Sequence, residues 1–256
     1  HIGLADWLCT RWNAPLWISS TDYHVARVLT QAGDTLAGGD AAADFFAMHG
    51  LTDPEAMAKI RARTSYYSSM VPAVPERFVR MLDGDVLRIG GRDWRCIVGY
   101  GHAPEHIALH CPADGVLISG DMVLPRISTN VSVYAATPHG DALGWFLHSL
   151  REFCTLPDDT LVLPSHGKPF KGIRARVAQL VEHHRERCDA LLSECSAAKT
   201  AGELLSSMFP RELDTHQVMF AMGEAIAHLN HLEKRGALLR EVGADGLVRF
   251  MARNQR

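Results

Sequence analysis

Three short segments of this chain carry side chains that bind divalent cations, and each follows a run of strand-forming residues. Gly101-His102-Ala103-Pro104-Glu105-His106 comes after the apolar run ending near Gly99. Ser119-Gly120-Asp121 comes directly after Val116-Leu117-Ile118, and Pro164-Ser165-His166-Gly167 directly after the run from Thr160 to Leu163. Imidazole and carboxylate are the donors that a borderline cation such as zinc accepts, and a catalytic centre keeps one coordination position for water. Glycine and proline fix the turns that hold these donors. Intervals of 19 residues from His102 to Asp121 and 45 from Asp121 to His166 let the intervening chain return to the same edge of a sheet.

In this order the segments resemble the metal-binding motifs of the metallo-β-lactamase superfamily. That family builds its centre from an HxHxDH loop, a GH(S/T)PGH-type histidine, an SGD-type aspartate and a PxHG-type histidine. Gly101-His102-Ala103-Pro104 with His106, Ser119-Gly120-Asp121 and Pro164-Ser165-His166-Gly167 match the last three. His1-Ile2-Gly3-Leu4-Ala5-Asp6-Trp7-Leu8 resembles the end of the first motif, its closing histidine followed by the I-G-x-A-x-x-L helix. The resemblance implies an αββα sandwich of the α/β class holding one or two divalent ions, zinc first and iron or manganese as alternatives. It implies His102 on the first metal, Asp121 as the bridging ligand, and His1 and His166 on the second metal. It also implies that Asp121 is catalytic, orienting a metal-bound hydroxide that cleaves an ester, thioester or related bond. The substrate is then a small molecule, and the residues that bind it are not identified. No HxHxD segment precedes His1 here, so the expectation is a sandwich whose N-terminal part is missing. With only His102 and Asp121 for the first metal, such a chain binds metal weakly or in the second position only. Glu105 stands where the family has glycine, either adding a carboxylate near the cleft or capping a turn.

The elements that must position these groups can be read from periodicity. Ile2 to Leu8 is helix-spaced, Pro15 to Ile18 is a short strand, and Thr21 or Asp22 caps a helix reaching Leu29, closed by the Gly33 to Gly39 region. The stretch from Asp40 to Met81 reads as mostly helical and as part of the substrate cleft, with most of Phe45, Phe46, Met48, Tyr66, Tyr67 and Met70 expected in the core and a minority roofing the cleft. Strands follow at Val86 to Ile89, Trp94 to Val98, Ile107 to His110, Val116 to Ile118 and Leu161 to Leu163, with a helix from about Asp141 to Phe153. A long amphipathic helix from Gly172 to about Ser196 leads to a short helix at Thr200 to Met208 and a longer one at His216 to Arg235. Two strands then flank Gly243-Ala244-Asp245-Gly246. Helix, helix, hairpin is the order of a winged-helix module, so the chain divides into a catalytic domain at 1–170 and a long helix with a winged-helix-like domain at 171–256. That tail, through His183 to Arg187 and Gly223 to Leu229, resembles those of glyoxalase-II-like and lactamase-like hydrolases. His183, His184, His228 and His231 have charged neighbours and are expected in solvent, as is His110. His106 is suited to a hydrogen bond behind the ligands.

Composition narrows the remaining classes. The 256 residues are 47% hydrophobic and 21% charged with a formal charge of −3, an ordinary globular balance with no general attraction to phosphate backbones. Residues 171–256 carry 13 basic and 11 acidic side chains, and only Lys234 and Arg235 are basic within His216 to Arg235. An endoribonuclease or nucleic-acid-binding protein working through the tail is therefore the alternative, and a structural role or homodimerisation is the favoured use of the tail. Six scattered cysteines without a CxxC pair read as reduced, buried thiols of a cytoplasmic protein. No apolar run is long enough to span a membrane.

Overall fold

The computed structural model describes residues 2–31 and 38–253. They fall into two compact units, one from the described parts of 1–31, 68–129 and 144–181, the other from those of 32–67, 130–143 and 182–256.

In the first unit, helix α1 (Ala5–Trp12) stops at Asn13, which takes a left-handed conformation with φ 48°. Strand β1 (Leu16–Ile18) leads into α2 (Ser20–Gln31). The buried Ser19 hydroxyl accepts the Asp22 N–H at 3.3 Å, so Ser19 supplies the cap expected of Thr21 or Asp22. Strand β2 (Phe78–Arg80) pairs in parallel with β1, Leu16 opposite Phe78. This corrects the helical reading of Asp40 to Met81, whose helices α3 (Gly39–Met48), α4 (Pro54–Arg61) and α5 (Tyr66–Met70) end before Pro72 and Pro75. Each proline removes a donor and pushes its predecessor toward extended backbone. The Gly33 to Gly39 closure lies largely outside the described residues.

A five-stranded sheet carries the metal-type motifs, in the order β3 (Val86–Ile89), β4 (Arg92–Gly99), β5 (His106–Cys111), β6 (Val116–Gly120) and β7 (Leu161–Pro164). Neighbours are antiparallel except β6 and β7. A parallel pair needs a crossover, and α6 (Ala142–Phe153) lies within it. Cys96, Ile97, Ala108, Leu117 and Val162 of the sheet are buried, as are Phe146, Leu150 and Phe153 of α6 and Ile173, Val177 and Leu180 of α7 (Ile173–Glu194).

In the second unit a 3₁₀ turn (Gly202–Leu204), α8 (Leu205–Met208) and α9 (Thr215–Lys234) precede the antiparallel hairpin of β8 (Leu238–Val242) and β9 (Val248–Ala252). A capping box starts α9: the Asp214 carboxylate accepts the Gln217 N–H, and the Gln217 side chain accepts the Asp214 N–H.

Several burial expectations fail here. His184, His228 and His231 are buried rather than solvated, and so is His110. The His228 Nδ1–H donates to the Glu224 carbonyl at 2.8 Å, leaving Nε2 to accept from the His184 Nδ1–H at 3.1 Å. His231 Nδ1 meets Asp141 Oδ1 at 3.0 Å. Imidazoles supplied with partners can be buried neutral, and α9 is buried almost all round from Ala221 to Leu232, so its sequence shows no polar face. Phe45 and Phe46 are core, but Met48, Tyr66 and Met70 are exposed. Cys154 is exposed and Cys9 half-buried, against the expectation of buried thiols; Cys96, Cys111, Cys188 and Cys195 are buried. Among the described residues no helix is long and apolar enough to cross a membrane.

Candidate metal centre

The loop holding His102 runs from β4 to β5 and is anchored at both ends. At its start the Tyr100 N–H donates to the Ser149 hydroxyl at 3.0 Å, which in turn donates to the Trp145 carbonyl at 2.8 Å. At its end the Glu105 N–H donates to Asp22 Oδ1 at 3.0 Å while Glu105 Oε2 accepts the Thr21 N–H at 3.1 Å. The Glu105 carboxylate therefore serves as a tie to the start of α2.

Asp121 leaves β6 through a tight turn. Gly120 has φ 54°, and a β-carbon there would stand 2.0 Å from His106 Nε2. The Thr129 hydroxyl donates to the Asp121 carbonyl at 2.5 Å and the Ser119 hydroxyl to the Val123 carbonyl at 3.0 Å. The third loop is tied to the second, because the Ser165 N–H donates to the Gly120 carbonyl at 3.1 Å. Gly167, at φ 87°, packs where a β-carbon would meet Pro125 Cγ at 2.7 Å.

These ties bring His102, Asp121 and His166 together. His102 Nε2 lies 3.1 Å from Asp121 Oδ2, and His166 Nε2 lies 3.6 Å from Asp121 Oδ1. The Asp121 side chain is 7% exposed, that of His102 26% and that of His166 58%. Burial alone would raise the Asp121 pKa, but the His102 hydrogen bond and the charges of His102 and His166 outweigh it and hold the carboxyl below its usual range. Burial, reinforced by His102, lowers the His106 pKa to about 4 despite the opposing pull of Asp121, and His106 Nδ1 has no hydrogen-bond partner among the described residues. His106 is thus a neutral wedge behind the aspartate turn. Burial also raises the Asp22 pKa, with the Glu105 charge adding to it and the Glu105 N–H and His102 opposing it.

The donors fit a divalent cation by chemistry and by spacing. Two ligands about 2.1 Å from one tetrahedral ion sit about 3.4 Å apart, and 3.1 and 3.6 Å bracket that value. They fall short in number: among the described residues no group of three or more His, Cys, Asp or Glu is arranged to hold an ion. The two imidazoles approach different oxygens of Asp121, so the geometry offers two donor pairs sharing one carboxylate. His1 lies outside the described residues. Arg126 and Lys168, which stand close to these motifs in sequence and have the charge to meet a carboxylate or phosphate, are exposed. Asp22 and Thr129 support the site without any local sequence signal, since Asp22 reads as a first-turn helical residue and meets Glu105 across 83 positions.

Comparison with known proteins bears on the same residues. The family model of the metallo-beta-lactamase superfamily matches residues 1–166, and that of the metallo-beta-lactamase-like C-terminal domain matches residues 188–253. A beta-lactamase domain protein from Burkholderia ambifaria is 50% identical with a TM-score of 0.90, covering 98% of this chain and 71% of its own. A metallo-beta-lactamase family protein from Thermus thermophilus is 29% identical with a TM-score of 0.78, covering 99% of this chain and 76% of its own. Among curated relatives, the probable metallo-hydrolase YqjP of Bacillus subtilis is 29% identical over 58% of this chain and 47% of its own length. A hydroxyacylglutathione hydrolase of Chromohalobacter salexigens is 31% identical over 52% of this chain and 48% of its own. The chain spans about half the length of these curated relatives. With the superfamily model covering well over half of it, and the three strand-end motifs in the matched span, the chain belongs to the metallo-beta-lactamase superfamily.

Proposed function

We propose that this chain acts as a metal-dependent hydrolase on thioesters or esters of small molecules. The observation that carries the reading is the meeting of two imidazoles on the two oxygens of the buried Asp121 carboxylate. His102, Asp121 and His166 would hold the cation, with His1 as a further donor; zinc is the first candidate, iron or manganese the alternatives. When bound, a divalent cation supplies Lewis acidity and brings the acidity of water close to neutrality, making hydroxide available as the nucleophile. The chain's own residues do the rest. Asp121, fixed by Thr129 and held ionised, would orient the attacking oxygen by accepting a hydrogen bond from its O–H. His102 and His166 set the charge and direction of the site without attacking the substrate. The thioester preference is supported by relatives named hydroxyacylglutathione hydrolase. In this reading residues 1–170 carry the chemistry and 171–256 a structural or dimerisation role, in the cytoplasm. A panel assay of the zinc-loaded native polypeptide on S-acyl thiols, aryl esters and phosphodiesters tests it. Turnover of the first two is expected, and cleavage of phosphodiesters alone rejects it.

A further inference from the structure

We propose that Arg63, Tyr66, His216 and Phe220 form a binding site for a small oxyanion carried on a flat apolar body, of which an aryl carboxylate is the simplest example. The site belongs to the second unit and uses none of the metal-centre residues. The Arg63 Nη1–H donates to His216 Nδ1 at 3.0 Å and reaches Met219 Sδ at 3.4 Å, and the guanidinium carbon sits 3.7 Å over the centre of the Tyr66 ring. The head group is therefore fixed in position and plane. A structural arginine in this region looks different: Arg61, two residues earlier, spans the carboxylates of Asp40 and Asp44 at 2.6 and 2.5 Å. Arg63 faces no carboxylate among the described residues, and its Nε and Nη2 donors make no hydrogen bond there.

Stacking on Tyr66 occupies one face of the guanidinium and leaves its edge, where the remaining donors match the two oxygens of a carboxylate. Because His216 Nδ1 accepts from Arg63, the neutral imidazole carries its proton on Nε2, a further donor at the surface. The apolar part of a ligand has its own contacts. Tyr66 and Phe220 are each 41% exposed, and Phe220 meets the His216 ring edge-on at 4.8 Å between centroids. A fixed positive charge with no carboxylate partner among the described residues, beside exposed aromatic faces, is the complement of an anion on a planar body. Carboxylate and phosphate share this oxyanion chemistry, and the experiment separates them.

Isothermal titration of the 256-residue chain with benzoate, phenyl phosphate, benzamide and acetate tests the site. Benzoate or phenyl phosphate is expected to bind at least tenfold more tightly than benzamide or acetate, the tighter of the two identifying the source of the oxyanion. Arg63→Gln should bring that ligand to the level of benzamide with little change in the thermal midpoint. Should Arg63→Gln fail to fold, Phe220→Ala, at an exposed position, should weaken the aryl anion several-fold and leave acetate unchanged. Equal binding of benzoate, phenyl phosphate and benzamide overturns the proposal, as does a folded Arg63→Gln protein, or a Phe220→Ala protein, that binds the aryl anion as the parent does.

Discussion

His106 occupies the space that a side chain at Gly120 would need: its Nε2 lies 2.0 Å from where a β-carbon would stand, one residue before Asp121. A left-handed φ at that glycine and a buried neutral imidazole behind it together set the direction of the aspartate. Gly120→Ala should cost at least about 2 kcal/mol, about half from the left-handed conformation and the rest from displacing His106. Urea unfolding measures the loss. Adding His106→Ala should recover part of the steric share, so the two substitutions combine to less than their sum; strict additivity would contradict the wedge.

Thr129 acts on Asp121 from the backbone side. Thr129→Val leaves the Asp121 carbonyl without its hydroxyl partner and should cost about 1–3 kcal/mol. Zinc affinity measured with a competing chelator should fall with it, although Thr129 offers the ion nothing.

Glu105 ties the His102 loop to α2 through its carboxylate and its N–H. Glu105→Gln keeps an oxygen to accept the Thr21 N–H, so metal content by elemental analysis should stay at the parent value and stability should change by less than about 1 kcal/mol. A clear loss of metal would make Glu105 a ligand.

How much of this was legible in the sequence depends on range. The strand runs before His102, Asp121 and His166 sit where the periodicity places them, since alternation and turn residues act within a few positions. The pairing of β2 with β1 links positions 16 and 78, and three-residue strands carry almost no periodic signal. The burial of His184 and His228 was invisible for another reason: one nitrogen of each imidazole meets a group on α9, and the charged neighbours in sequence point elsewhere. Asp22 shows the same limit, its role fixed by a residue 83 positions on.

The His184–His228 pair gives a pH dependence with a definite sign. Burial, with the neighbouring His228 next in weight, lowers His184 from the ordinary 6.5 to about 3, and burial lowers His228 to about 4. Between pH 6.5 and about 4 the unfolded chain binds the extra protons, so this contribution to stability is full above pH 6.5 and is lost as the medium is acidified, at about 1.4 kcal/mol for each unit of displacement. His228→Gln removes one of the titrating groups, and its stability should fall less steeply over that window in urea unfolding run at stepped pH. A parallel decline in both proteins would contradict the assignment.

The account rests on one shared cation environment, and anomalous diffraction from crystals of this chain soaked in zinc examines it directly. The expected result is a peak within about 2.0–2.3 Å of the Asp121 carboxylate and of an imidazole nitrogen of His102 or His166, lost in crystals of Asp121→Ala. Zinc bound only elsewhere, or a peak in this position that survives Asp121→Ala undiminished, would contradict it.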